Sequence, residues 1–169
     1  KYGTGLVFLP REEQKAALCL NVIKENVEKE GLQLLAIRDV PVNSDILGAI
    51  SASNEPLIKQ VFITGATNQQ ALESKLYVVR KKIEHAILKS NLAKDRSFYM
   101  VSLSTRQMVY KGMLTSLQLR EYYPDLSNPH FTSGIALVHS RFSTNTFPTW
   151  DLAQPFRLLA HNGEINTVR

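Results

Sequence analysis

The chain has 169 residues, 44% of them hydrophobic and 21% charged, with a formal net charge of +5. Such proportions belong to an ordinary globular chain long enough to bury a core, and they exclude disorder along its whole length. A single cysteine excludes an internal disulfide and any multi-thiolate metal site, and the four histidines show no i, i+4 or HExxH spacing, so no metal is expected.

In chain order, "KYGTGLVFLP" opens with an apolar run at Leu6 to Leu9 that Pro10 stops, the pattern of a strand. From Arg11 the period changes. Ala16, Cys19, Leu20, Ile23 and Val27 share one helical face, Glu12 and Glu13 fill the first turn, and Gly31 is the stop. Cys19 lies on that apolar stripe, where nothing polar lowers a thiol pKa, so it reads as a small core residue and not as a nucleophile. "LQLLAIRDVPV" reads as a second strand, "DILGAI" as a short helical turn, "SASNEP" as a loop and "LIKQVFIT" as a third strand. After Gly65 the repeat Leu72, Leu76, Val79, Ile83, Ala86 and Ile87 marks the clearest helix.

"SFYMVSLSTRQMVYKGML" gives two β-rich runs about Ser104, Thr105 and Arg106, the pattern of a hairpin. "TSLQLREYYPDLSNP" is a helical turn and a loop, Gly134 to His139 reads as a buried strand, and after a Pro-punctuated loop the chain returns in a final strand before His161. The order over residues 5 to 103 is β-α-β-β-α-β, that of a ferredoxin-like split βαβ unit, and the whole reads as an α+β fold. Residues 1–96 are assigned to this βαββαβ part and 97–169 to core strands that carry the chemistry. A competing reading gives the last strand and its hairpin partner to that second sheet; both hold if the first part is an insertion flanking it.

The positive excess does not point to nucleic acid. Basic residues such as Arg80, Lys81 and Lys82 are interspersed with Glu73 and Glu84 on one helix, the pattern of a solvated face, and no basic stripe alternates with aromatics. No apolar run reaches the roughly 20 residues that span a bilayer, and no signal peptide opens the sequence. The expected compartment is the cytoplasm, or an organelle after loss of a transit segment.

Chemistry concentrates near the C-terminus, where two expected strands end in polar residues. One delivers His139, Ser140, Arg141, Phe142, Ser143 and Thr144; the other delivers His161, Asn162 and Gly163. Arg141 is a fork of donors suited to a carboxylate. Asn162 offers a side-chain N–H and Gly163 a backbone N–H that a ligand can approach closely, two donors that together make an oxyanion hole. Other readings stand beside this one: an arginine at a strand end often pairs with a surface acid, and Asn-Gly is also a hairpin-turn signal. Ser140 and His139 are neighbours that point to opposite faces and make no triad. Asp151 reads as a cap for the segment from Leu152, and "GTG" at Gly3 to Gly5 precedes a strand, the wrong context for a dinucleotide loop.

The run "HSRFSTNTFPTWDLAQPFRLLAHNGEINTVR" resembles the class II (N-terminal nucleophile) glutamine amidotransferase domain of glutamate synthase large subunits, and "YGTGLVFLP" and "IRDVPVNSDILG" resemble the same family more loosely. The resemblance implies part of an αββα sandwich, with the βαββαβ unit as an insertion, in which glutamine is hydrolysed to glutamate and ammonia. It implies that Arg141 holds the α-carboxylate of L-glutamine, that Thr144 lines the pocket, and that Asn162 and Gly163 stabilise the oxyanion.

The family's nucleophile is a cysteine at the mature N-terminus, activated by its own amine. Its pocket also has an aspartate downstream of the HNG strand. Lys1 opens this sequence and no such aspartate follows, so it reads as an internal piece that is inactive alone. For the parent enzyme the resemblance implies a synthase domain in the same polypeptide with FMN and an iron–sulfur cluster. It also implies 2-oxoglutarate as ammonia acceptor, and ferredoxin or a NAD(P)H-dependent small subunit as reductant. No cofactor is expected in this segment, and no membrane or nucleic-acid partner; a plastid location is expected if the source is a photosynthetic eukaryote. Two alternatives remain at this point, another class II amidotransferase and a non-catalytic ferredoxin-like binding or regulatory module.

Overall fold

A computed structural model describes residues 1–90, 92, 96–140, 142 and 147–157. The elements are β1 (Gly3–Leu9), α1 (Glu13–Lys29), β2 (Gln33–Asp39), a 3₁₀ turn at Ser44–Ile46, α2 (Ala49–Ser53), β3 (Leu57–Thr64), α3 (Gln69–Lys89), α4 (Gln118–Tyr122) and a second 3₁₀ turn at Pro124–Ser127. They fall into two units, one of residues 1–40 and 56–109, the other of 41–55 and 110–169.

The first unit follows the period of its apolar residues. Its sheet has the order β1-β3-β2 with both outer strands antiparallel to β3, in registers that include Gly5↔Val61 and Ile37↔Val61. β1 and β2 therefore run parallel to each other, joined through α1, with β3 between them. Val7, Leu9, Val61 and Ile63 pack against Ala16, Cys19, Ile23 and Val27 of α1 and against Leu72, Leu76, Val79, Ile83 and Ile87 of α3, all of them buried. The helix α1 ends as its glycine predicts. Gly31 takes a φ of 66° and donates to Glu28, Leu32 donates to Val27 at 3.0 Å, and the buried Leu32 closes the apolar end of the turn. Asn68 caps α3, accepting from the Ala71 N–H at 2.9 Å.

Several details differ from expectation. The hairpin about residues 104–106 is absent. Residues 99–104 instead meet the free edge of β1 at two isolated antiparallel bridges, Phe8↔Tyr99 and Thr4↔Ser104. Thr4 to Phe8 is four steps and Tyr99 to Ser104 is five, and the extra residue breaks the ladder between the bridges. Glu73 then draws the next turn off the sheet: its carboxylate accepts from Ser104 Oγ at 2.7 Å, from Thr105 N at 2.7 Å and from Thr105 Oγ1 at 2.9 Å.

Arg80 is not on the solvated face of α3. It is buried, with Nη1 donating to Glu84 at 2.6 Å and to the Met100 carbonyl at 3.0 Å. A guanidinium can be enclosed when its donors find a carboxylate and a carbonyl together. Lys81 and Lys82 are exposed as expected. "SASNEP" is a loop only from Asn54, because α2 takes in Ser51 to Ser53.

The second unit contains no strand among its described residues. Gly134 to His139, expected as a buried strand, is non-regular, with Ile135, Leu137 and Val138 each about four-fifths exposed at 82%, 78% and 79%. An apolar run becomes a buried strand only beside a pairing partner, and no described residue supplies one. The expected final strand before His161 lies outside the described residues.

Candidate functional site

Two consecutive tyrosines organise the second unit. The backbone turns out of α4 into an extended conformation at Tyr123, so the two rings diverge and meet edge to face, with centroids 4.7 Å apart at 88°. Both are fully buried, and each must therefore find a partner for its hydroxyl. Tyr122 donates to Glu55 Oε1 at 2.6 Å, an oxygen that also accepts from Ser44 Oγ at 2.7 Å. Tyr123 donates to the Lys111 carbonyl at 2.7 Å. Trp150 closes the group: its ring lies 5.5 Å from that of Tyr122, and its indole N–H donates to the Ser51 carbonyl at 2.9 Å. Ser51 Oγ in turn donates to the Met113 carbonyl at 2.8 Å. Four chain segments, near residues 44–55, 110–113, 118–123 and 150–156, are thus bound by an aromatic core wired with hydrogen bonds.

Lys111 is the unusual member. Its side chain is 1% exposed, although lysine is almost never fully buried. The ammonium donates to the Asp151 carbonyl at 2.7 Å and stands 4.9 Å from the centroid of the Phe156 ring, within cation–π range. Burial pushes its pKa down to about 8, and the Asp151 carboxylate opposes that shift. Burial, then the charges of Tyr110 and Glu55, pushes the Tyr123 phenol well above its ordinary value, so it remains an O–H donor at neutral pH. Asp151 does not cap a helix from Leu152; its carboxylate accepts from Thr149 Oγ1 at 2.6 Å within a turn.

Arg141, Thr144, Asn162 and Gly163, the four residues expected to carry the chemistry, lie outside the described residues, as does His161. In sequence, the described stretch 147–157 lies between Thr144 and Asn162. Of the other histidines, His85 and His130 are exposed and His139 is half-buried. Among the described residues no group of three His, Cys, Asp or Glu side chains could hold a metal ion. Cys19 is a core residue as expected, fully buried in α1, with burial pushing its thiol pKa up and away from reactivity. Sequence reasoning missed Lys111 and Glu55. The only signal for Lys111 was one charge inside the otherwise apolar "MVYKGML".

The sequence profile of the class-II glutamine amidotransferases matches residues 1–169. The chain belongs to that family. It is 46% identical over 171 residues to the ferredoxin-dependent glutamate synthase 2 of Synechocystis sp., an alignment covering 99% of this chain and 10% of that protein. It is 43% identical over 175 residues to the glutamate synthase [NADPH] large chain of Azospirillum brasilense, covering 100% and 11%. It is 44% identical over 180 residues to the glutamate synthase [NADH] of Saccharomyces cerevisiae, covering 100% and 8%. The chain thus spans about a tenth of the length of these relatives.

Proposed function

We propose that this amidotransferase chain is part of the glutamine-hydrolysing domain of a glutamate synthase, which releases ammonia from L-glutamine for addition to 2-oxoglutarate. The observation that carries this reading is the end-to-end similarity, at 43–46% identity, to glutamate synthases that differ in reductant. Ferredoxin, NADPH and NADH stand in the names of relatives that match equally well. The stretch they share serves a step common to all of them, and the reductant is selected elsewhere in the parent.

In this reading Arg141 grips the α-carboxylate with a two-pronged guanidinium and Thr144 lines the pocket beside it. A thiolate adds to the side-chain amide carbon of glutamine. Its carbonyl oxygen becomes an oxyanion, received by Asn162 Nδ2–H and Gly163 N–H; ammonia then leaves and water releases glutamate. Cys19 is not that thiol, since it is sealed in the helix core. The nucleophile is the N-terminal cysteine of the parent. The domain is an αββα sandwich with the βαββαβ unit inserted; the antiparallel order β1-β3-β2 with α1 and α3 packed against it supports the βαββαβ unit.

The parent carries FMN and an iron–sulfur cluster in its synthase part. The residues of this chain do not fit the cluster, which takes several thiolates where the chain has one, and that one buried. The location is cytoplasmic, or plastid in a plant, where relatives named as chloroplastic occur. No helix among the described residues is long and apolar enough to cross a membrane.

The test is Arg141→Ala in the full-length parent. Losing a charge-assisted fork lowers kcat/KM for glutamine by about tenfold to a hundredfold, while ammonia-supported glutamate synthesis persists. Glutamine-dependent activity within about twofold of the parent enzyme would refute the assignment of Arg141.

A further inference from the structure

Lys111 is placed where a lysine is least at home, and both of its described contacts fall on one stretch of chain. The Asp151 carbonyl at 2.7 Å and the Phe156 ring at 4.9 Å bracket residues 151–156. The Lys111 carbonyl is itself fixed from behind by the Tyr123 hydroxyl at 2.7 Å, so the ammonium is presented from an anchored backbone. In sequence, Asp151 lies ten residues after Arg141, and Phe156 lies six residues before Asn162.

A neutral amide or hydroxyl would hold a carbonyl without the desolvation that an enclosed ammonium suffers, and an apolar side chain would seat the Phe156 ring as well. Burial pushes the ammonium's pKa down to about 8, and the Asp151 carboxylate opposes that shift. A charge kept in so unfavourable a place is the mark of a residue that serves geometry at a site.

Resting on the glutaminase reading above, we propose that Lys111 is a positioning residue for the glutamine site. It clamps Asp151 to Phe156, a described stretch that in sequence separates Arg141 from Asn162 and Gly163. Lys111 does not touch substrate. It holds the connector between the segment that grips the carboxylate and the segment that receives the oxyanion.

The experiment uses the full-length parent enzyme with Lys111→Met, Lys111→Arg and Phe156→Leu. Glutamine-supported kcat and KM are measured together with hydrogen exchange of the peptide spanning 149–157 and of α3. Lys111→Met keeps the apolar length of the side chain and deletes the charge. It is expected to lower kcat/KM for glutamine by about tenfold or more, because small misplacements at a reacting centre are amplified in rate. It is also expected to speed exchange in 149–157 while α3 stays as in the parent enzyme.

Phe156→Leu is expected to shift both readouts in the same direction by a smaller factor. Lys111→Arg, which restores a charged donor, is expected to recover most of kcat/KM. The proposal is overturned if Lys111→Met stays within about twofold of the parent in kcat/KM, or if α3 exchange rises along with 149–157, which would reduce Lys111 to a folding role. A parent enzyme that does not hydrolyse glutamine at all would sink the glutaminase reading itself. A parent enzyme that does, alongside an unimpaired Lys111→Met, would sink only this proposal.

Discussion

Replacing Tyr122 with phenylalanine deletes one oxygen from the centre of the second unit and leaves the ring in place. The hydroxyl donates to Glu55 Oε1 at 2.6 Å in a setting where Tyr122 is fully buried and Glu55 is 9% exposed. A hydrogen bond to a carboxylate contributes about 1.5–3 kcal/mol, and removing one partner leaves the buried acceptor short of a donor. Ser44 Oγ still donates to the same oxygen at 2.7 Å, so the carboxylate is not abandoned and the middle of that range, about 2 kcal/mol, is the expected loss. No cavity forms beyond the hydroxyl itself, and the edge-to-face contact with Tyr123 survives.

The assay is hydrogen exchange of the peptide 118–126 in the full-length protein, where about 2 kcal/mol corresponds to roughly thirtyfold faster opening. A double-mutant cycle with Glu55→Gln isolates the pair, with an expected coupling of about 1–2 kcal/mol. Exchange within about twofold of the parent, or additive effects in the cycle, would refute the view that this contact ties α4 to the 44–55 segment.

Two further expectations test other parts. In Gly5→Ala the new methyl lies 2.0 Å from the Ser102 carbonyl oxygen, and because that atom is backbone it cannot swing aside. β1 and the 102–104 segment must part, which weakens the paired bonds between Thr4 and Ser104. The expected loss is about 2–4 kcal/mol, read as faster exchange of the β1 amides, and a loss below about 0.5 kcal/mol would contradict the close approach.

For Lys111, the folded pKa of about 8 lies below the ordinary 10.5. Between those values the unfolded chain binds a proton that the folded chain has released, so stability rises with pH across that window. Below pH 8 both states carry the proton and the slope vanishes. The rise attributable to Lys111 is on the order of 3 kcal/mol. Lys111→Met removes it, so thermal midpoints of the two proteins should diverge on going from pH 7.5 to 9.5, with the parent gaining relative to the variant. A difference that does not change with pH would contradict the shifted pKa.

What could be read in the sequence follows from how far each feature depends on its neighbours in the chain. The helices α1 and α3 were legible because their buried faces repeat every three to four residues, and Gly31 and Asn68 end and begin them by local backbone chemistry. The hairpin was not legible, because a carboxylate thirty-odd residues away, Glu73, takes the donors of Ser104 and Thr105. Arg80 went wrong for the same reason: charge patterning on a helix predicts solvent, and only the Met100 carbonyl approaching from outside the helix makes burial acceptable. The candidate site is an expectation from residue types alone, a guanidinium and paired N–H donors after apolar runs, and Arg141, Asn162 and Gly163 lie outside the described residues. The contacts of the second unit were not legible, since nothing in the local sequence announces that Lys111 reaches Asp151 or that Tyr122 finds Glu55.

Both units enclose polar or charged side chains, each by its own set of partners. In the first, α1 and α3 bury their apolar stripes against the sheet, while β2 leaves Leu35 and Ile37 exposed and Arg80 is enclosed beside Glu84 and the Met100 carbonyl. In the second, a lysine is enclosed with a lowered pKa, a glutamate accepts from the Tyr122 hydroxyl, and Ile135, Leu137 and Val138 stand in solvent. Each of these costs stability on its own. In both units a local rule gives way where a tertiary partner compensates, as the Met100 carbonyl does for Arg80 and the Asp151 carbonyl and Phe156 ring do for Lys111.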